Sequence, residues 1–217
     1  VTTAVLLMCQ GEVDMIGGIG TDQAKQAVDC DGVKPVIQTR FTVRTVNFNL
    51  GNPDSPVADV RVRDAIALAF DYDSWNDYYD GQAAPSRGPL PANAEIGELP
   101  PVIERDLDRS RELLTEAGYP GGEGLTISYV GISGLSFEEF FGTLLEENLK
   151  EVGVEVEQIL VPWPQLVELT ANPAEGADMN FFIISMTSSD PSTILKSAYV
   201  TDAWASTGGF NWAHYSN

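Results

Sequence analysis

Between Leu125 and Met186 the chain switches repeatedly between two hydrophobic periods, and this constrains its fold more than any other feature. Residues 125–130 read as a strand. Ser136 with Glu139 forms a capping box for a helix that runs to Val152 and stops at Gly153. Residues 154–161 alternate as a strand, 164–171 form a helix, and 179–186 are an apolar central strand. Strand, helix, strand, helix, strand in this order predicts α/β units with a largely parallel component, a mixed sheet flanked by helices.

Upstream, residues 3–10 read as a helix stopped by Gly11, and 13–16 as a short strand. Thr21 caps a helix through Val28, with Asp22 near its positive end. Residues 36–41 and 43–50 follow as two strands, the second placing Val46, Phe48 and Leu50 on one face. The turn-rich stretch 51–56 is the expected boundary, dividing the chain into 1–50 and 51–217. Beyond it come helices over 60–70 and 73–79, then a long loop over 82–101 with five prolines. Asp106 caps a helix to Ala117, which Gly118 and Pro120 terminate. No period of 20 to 50 residues repeats, which excludes solenoids and propellers.

The 217 residues carry 32 Asp and Glu against 12 Lys and Arg, a formal net charge of −20. Such a surface repels phosphate backbones and anionic lipid, so nucleic-acid and membrane-surface binding are set aside. The acids are scattered along every segment, which fits a carboxylate-rich surface in a saline medium better than one cationic-ligand site. The apolar runs 5–8 and 181–184 are far short of the roughly 20 residues that cross a bilayer. The chain starts at Val1 with no basic or signal-type stretch, so its start reads as a cut. Cys9 and Cys30 fit either one disulfide, suited to an oxidising compartment, or two small buried hydrophobes.

Motifs for chemistry are sparse. His214 stands alone, without the cysteines or second histidine a metal site needs. The glycines at 17–20 and 121–124 lack the Lys-Ser/Thr of a phosphate loop and read as turns. Ser136 departs from a nucleophile elbow at its final glycine, and with 32 acids paired carboxylates arise by chance. What remains is aromatic. Trp75, Tyr78 and Tyr79 fall close together, and Trp163, Trp204, Phe210 and Trp212 lie in or beside loops. Such rings serve as core anchors or, beside small polar residues, as faces of a ligand cleft.

The run Asp59-Val60-Arg61-Val62-Arg63-Asp64-Ala65-Ile66, preceded by Asn47-Phe48-Asn49, resembles the extracytoplasmic solute-binding proteins of the peptide/nickel class of ABC importers. Residues 79–85, 106–120, Gly11-Glu12-Val13-Asp14 and 211–217 are similar to further motifs of that family in the same order. The resemblance implies a type II periplasmic-binding-protein lobe, with residues 1–50 the end of a first lobe and 51–217 most of a second. It implies a non-enzymatic protein without cofactor or metal, a monomer outside the cytoplasmic membrane, which closes on a small solute and docks on an ABC permease. Arg61 and Arg63 are then structural ion pairs. Peptide binders of the family often carry an aspartate for the ligand's α-amino group where this chain has Thr187. The resemblance implies a peptide-like ligand, while Thr187 weakens a free peptide N-terminus and leaves an oligosaccharide or other neutral solute as alternative; a hydrolase on this scaffold, for which only uncorrelated carboxylates speak, is a distant third reading. Candidate ligand-binding residues are Asn49, Met186, Thr187, Ser188, Asp190, Trp204 and Trp212.

Overall fold

A computed structural model describes residues 2–17, 19, 21–36, 41–91, 100–185, 190–204, 206 and 208–216. The chain divides into two compact units, Val1–Arg40 with Asn76–Ala83, and Phe41–Trp75 with Ala84–Asn217.

The smaller unit holds α1 (Thr2–Cys9) and α2 (Thr21–Val28). Little apolar surface is buried here, chiefly Val5 and Ala27, so packing alone holds the two helices weakly. Cys9 and Cys30 are joined as a disulfide across a Cα–Cα distance of 5.3 Å and a sequence separation of 21. Lys25 pairs with Asp80 at 3.1 Å. The cross-link stabilises this unit by about 3 kcal/mol, since it removes loop entropy from the unfolded chain. Reduction is therefore expected to abolish amide-exchange protection in α1 and α2 while leaving the larger unit protected. Hydrogen exchange with and without a thiol reductant checks this. Residues 13–16 are not a strand: no segment among the described residues pairs with them, and Met15 is 85% exposed. Of the strand expected over 36–41, Val36 and Phe41 are irregular and 37–40 lie outside the described residues.

The larger unit follows the order β1 (Thr42–Phe48), α3 (Val60–Ala69), α4 (Tyr72–Asp77), α5 (Leu107–Glu116), β2 (Thr126–Ile132), α6 (Ser136–Lys150), β3 (Glu155–Val161), α7 (Trp163–Ala171), β4 (Met179–Ser185) and α8 (Ser192–Ala198). The sheet order is β1-β4-β2-β3. β2 runs parallel to β3 and β4, whereas β1 is antiparallel to β4, with Thr42 opposite Ser185 and Phe48 opposite Met179. β1 is thus hydrogen-bonded along its length into the larger unit, which begins at Phe41 rather than after the turn at 51–56.

Alternation along the strands builds two cores. On one face Ile127, Tyr129, Met179 and Phe181 pack under α3, α5 and α6 through Ile66, Leu114, Phe141 and Leu145. On the other, Val130, Val161, Phe182 and Ile184 meet Leu166 of α7, Ile194 of α8 and Trp212. The result is a three-layer α/β/α unit.

Local chemistry sets the helix ends. The Asp59 carboxylate accepts from Arg61 N–H at 2.9 Å and also holds the Arg61 guanidinium, which keeps the Asp59 carboxyl near pKa 2. Arg63 differs from the expected ion pair, since it donates to the Val57 and Ala58 carbonyls at 2.8 and 3.0 Å. Asp106 caps α5 through Arg109 N–H at 2.9 Å. The expected Ser136 capping box does not form. Ser136 is already the first residue of α6, Leu135 holds the cap position, and Glu139 reaches past it to Gly134 N–H at 3.0 Å.

Candidate functional site

An open α/β sheet offers a ligand crevice at the carboxyl ends of its parallel strands, where neighbouring strands send their connections to opposite faces. β2 meets this condition on both sides. Its connection leads to α6 on one face, while β3 and β4 lead to α7 and α8 on the other. Among the described residues the rim therefore consists of 133–135, the start of α7, the carboxyl end of β4, and the antiparallel entry into β1.

Ser133 N–H donates to Val161 O at 2.9 Å, stitching the first two parts of this rim together. Thr42 Oγ1 and Ser185 Oγ share a hydrogen bond of 3.0 Å. The Arg44 guanidinium lies 5.5 Å from the centre of the Phe137 ring. Trp163 opens α7 directly after β3, is 47% exposed, and leans on Trp212 at 5.4 Å between centroids. Hydroxyls, an aromatic face and one guanidinium can grip a polar solute without covalent chemistry. Among the described residues no three His, Cys, Asp or Glu side chains gather as a metal site.

The sequence-derived candidates do not all converge on this rim. Met186, Thr187 and Ser188 lie outside the described residues. Asp190 caps the start of α8, accepting from Ser192 N–H and Ser192 Oγ, each at 2.9 Å. Those bonds, the backbone one foremost, hold its carboxyl below the usual range. Asn49 sits beyond the other end of β1, next to the amino end of β4, and is 3% exposed. Its amide is employed internally, donating to Pro173 O at 2.8 Å and accepting from Gly51 N–H at 3.2 Å. Trp212 is 3% exposed, with its ring 4.5 Å from Phe182. Trp204 donates its indole N–H to Tyr215 O at 3.2 Å and meets the His214 ring edge-on at 5.4 Å. His214 itself is buried, and that burial pushes its pKa below the usual value.

Two residues gain importance in the structure. Trp163 belongs to the rim, signalled by its place between Pro162 and Pro164 right after a strand. Asp178, at the amino end of β4, collects Ser128 N–H at 2.8 Å, Ser128 Oγ at 2.7 Å, and Ser55 Oγ.

A three-layer lobe with helices flanking a mixed sheet has the fold of a type II periplasmic-binding-protein lobe. The profile of the bacterial extracellular solute-binding proteins, family 5 Middle, matches residues 1–206, and the chain belongs to that family. A curated relative, the glutathione-binding protein GsiB of Pectobacterium atrosepticum, is 26% identical over 219 residues, covering 99% of this chain and 42% of its own length. Among solved structures, the Helicobacter pylori DppA complex with the peptide STSA superposes with a TM-score of 0.84 at 20% identity, covering 100% of this chain and 41% of that one. A dipeptide-binding protein from Pseudoalteromonas in complex with Met-Leu gives 0.82 at 21% identity, with coverage of 100% and 42%. NikA from Staphylococcus aureus in complex with Ni(L-His)2 gives 0.82 at 17%, with 100% and 44%. The chain spans about two fifths of the length of these relatives. Among the described residues no helix is long and apolar enough to cross a membrane.

Proposed function

We propose that this chain is part of the ligand-binding component of an ABC importer, which takes up a peptide-like solute outside the cytoplasmic membrane and delivers it to a membrane permease. The observation that carries this reading is the family match over residues 1–206. Ligand capture would shift an open-closed equilibrium, the general means by which such proteins signal occupancy. The peptide reading draws on relatives described with glutathione, STSA and Met-Leu. An oligosaccharide is less well supported, because Trp204 and Trp212 are engaged in packing and Trp163 alone among the rim candidates offers an open indole face.

Isothermal titration of the full-length protein against a mixed peptide pool is expected to give binding heat, and Trp163→Ala to weaken affinity by about tenfold, the worth of one aromatic contact. Heat from an oligosaccharide pool with none from peptides would overturn the peptide assignment. An unchanged affinity in Trp163→Ala would move the ligand away from this rim.

A further inference from the structure

Just behind the rim, on the α6 side of the sheet, three polar side chains share one niche. Gly131 makes the room, since a Cβ there would lie 2.8 Å from the Tyr129 hydroxyl and 3.0 Å from Glu138 Oε2. Gly142 of α6 does the same from above, where a Cβ would collide with Gln158 Nε2 and lie 3.2 Å from the Tyr129 ring. Glu138 is 2% exposed and Tyr129 fully buried. Ile132 N–H, at the end of β2, donates to Glu138 Oε2. The Tyr129 hydroxyl and Gln158 Nε2 have no hydrogen-bond partner among the described residues.

Among the described residues the surroundings offer no counter-ion. From β2 the titratable group facing Glu138 is Tyr129, and β3 contributes the neutral amide of Gln158. On α6 the neighbouring Glu139 turns away to Gly134 N–H at 3.0 Å. Arg44 of β1 stands over the Phe137 ring, while α4 and β4 supply Trp75 and Phe181 to the same core. Glu138 makes no ion pair among the described residues.

We propose that Glu138 is a proton-operated latch: as the neutral acid it fastens the 133–135 connection to the end of β2, and as the carboxylate it leaves the niche and lets that connection loosen. The neutral carboxyl accepts from Ile132 N–H with one oxygen and needs no counter-ion in the niche. The carboxylate keeps that acceptor, but its charge is costly in a buried niche that no cation among the described residues faces. Burial accordingly pushes its pKa up to about 7, against the weaker opposing pull of the Ile132 N–H bond. The folded value lies above the unfolded one, so the native state holds the extra proton. Stability from this group is complete below the unfolded pKa of 4.5, falls as pH rises toward about 7, and levels off beyond. Any effect on ligand capture rests on the proposed function, whereas the latch itself does not.

The test compares the ligand-free protein with Glu138→Gln between pH 5 and 8.5. The side-chain carboxyl carbon of Glu138, followed by NMR, is expected to titrate near neutrality. Relative to Glu138→Gln, the wild-type unfolding constant should rise on the order of 100-fold between pH 5 and 8, with Ile132 and Gly134 amide exchange accelerating in parallel. Titration below pH 5.5, or the same pH profile in both proteins, would overturn the latch. Should Glu138→Gln fail to fold, the wild-type carboxyl titration and the pH dependence of Ile132 amide exchange decide alone, and a titration below pH 5.5 or amide exchange that does not follow it overturns the latch. A latch that titrates as described in a protein that binds no peptide would remove the proposed function and leave the latch in place.

Discussion

Asp178→Ala is expected to lower the unfolding free energy by about 3 kcal/mol, because three hydrogen bonds to one carboxylate disappear together. Two come from Ser128, through its backbone N–H at 2.8 Å and its hydroxyl at 2.7 Å, and the third from Ser55 Oγ. Ser128 lies on β2 and Ser55 in the turn before α3, while the backbone around Asp178 answers with its own N–H to Ser128 Oγ at 2.9 Å and its C=O to Asn49 N–H at 2.8 Å. The side chain thus ties β4 to β2 and to the turn before α3, while the Asp178 backbone holds the end of β1. Alanine leaves the Ser128 N–H without its acceptor in a half-buried place, which adds to the loss. Denaturant titration should show the full shift for alanine and about half of it for Asp178→Asn, which keeps one acceptor oxygen. A change under 1 kcal/mol for alanine would show that water replaces the carboxylate at no cost.

Gly153→Ala is expected to cost a similar amount, about 3 kcal/mol, for a different reason. Gly153 has φ +82° at the end of α6, and its Cβ would fall inside the contact radius of Gly121 O. Gly122 approaches from the other side with φ +75°, its own Cβ directed at the Gly153 backbone. The two turns touch backbone to backbone, so neither a flexible side chain nor a rotamer change can make room. Left-handed geometry costs a non-glycine residue about 1–2 kcal/mol, and the forced backbone shift adds about as much again. Gly118→Ala provides the control, since Gly118 has φ +100° but open space around it. It should lose about 1 kcal/mol, the conformational part alone. Equal losses at 118 and 153 would mean that the close approach of the two turns contributes nothing.

Much of the larger unit is legible in the chain because local and tertiary demands agree there. Val62, Ile66 and Ala69 recur at helical spacing and face the core, and Asp106 stands where α5 needs a cap. The apolar run at 179–184 is central because it must satisfy cores on both faces. Reading fails where a residue has two employers. Ser136 and Glu139 have the spacing of a capping box, yet Glu139 is drawn to Gly134 and Glu138 to Ile132, contacts that depend on where β2 ends. The site was less visible than the fold. Asn49, Trp204 and Trp212 have the composition of ligand contacts, but partners distant in sequence, Pro173, His214 and Phe182, occupy them. No local pattern announces those partners. Trp163 escaped selection because exposure of a ring follows from the level at which α7 starts, a property of the sheet and not of its neighbours in sequence.

The placement of β4 also governs how the molecule is made. Of the four strands in the described sheet, residues 179–185 are the last to be synthesised, yet they take the position between β1 and β2. β2, α6 and β3 are contiguous and can assemble first. β1, by contrast, waits for a partner 137 positions downstream, from Thr42–Phe48 to Met179–Ser185. At typical synthesis rates of roughly 5–20 residues per second, that delay is on the order of ten seconds. During it the Val46 and Phe48 side chains and a bare strand edge lack their cover. The nascent protein is therefore most open to mispairing before β4 emerges, and the arrival of this strand closes the sheet in one step.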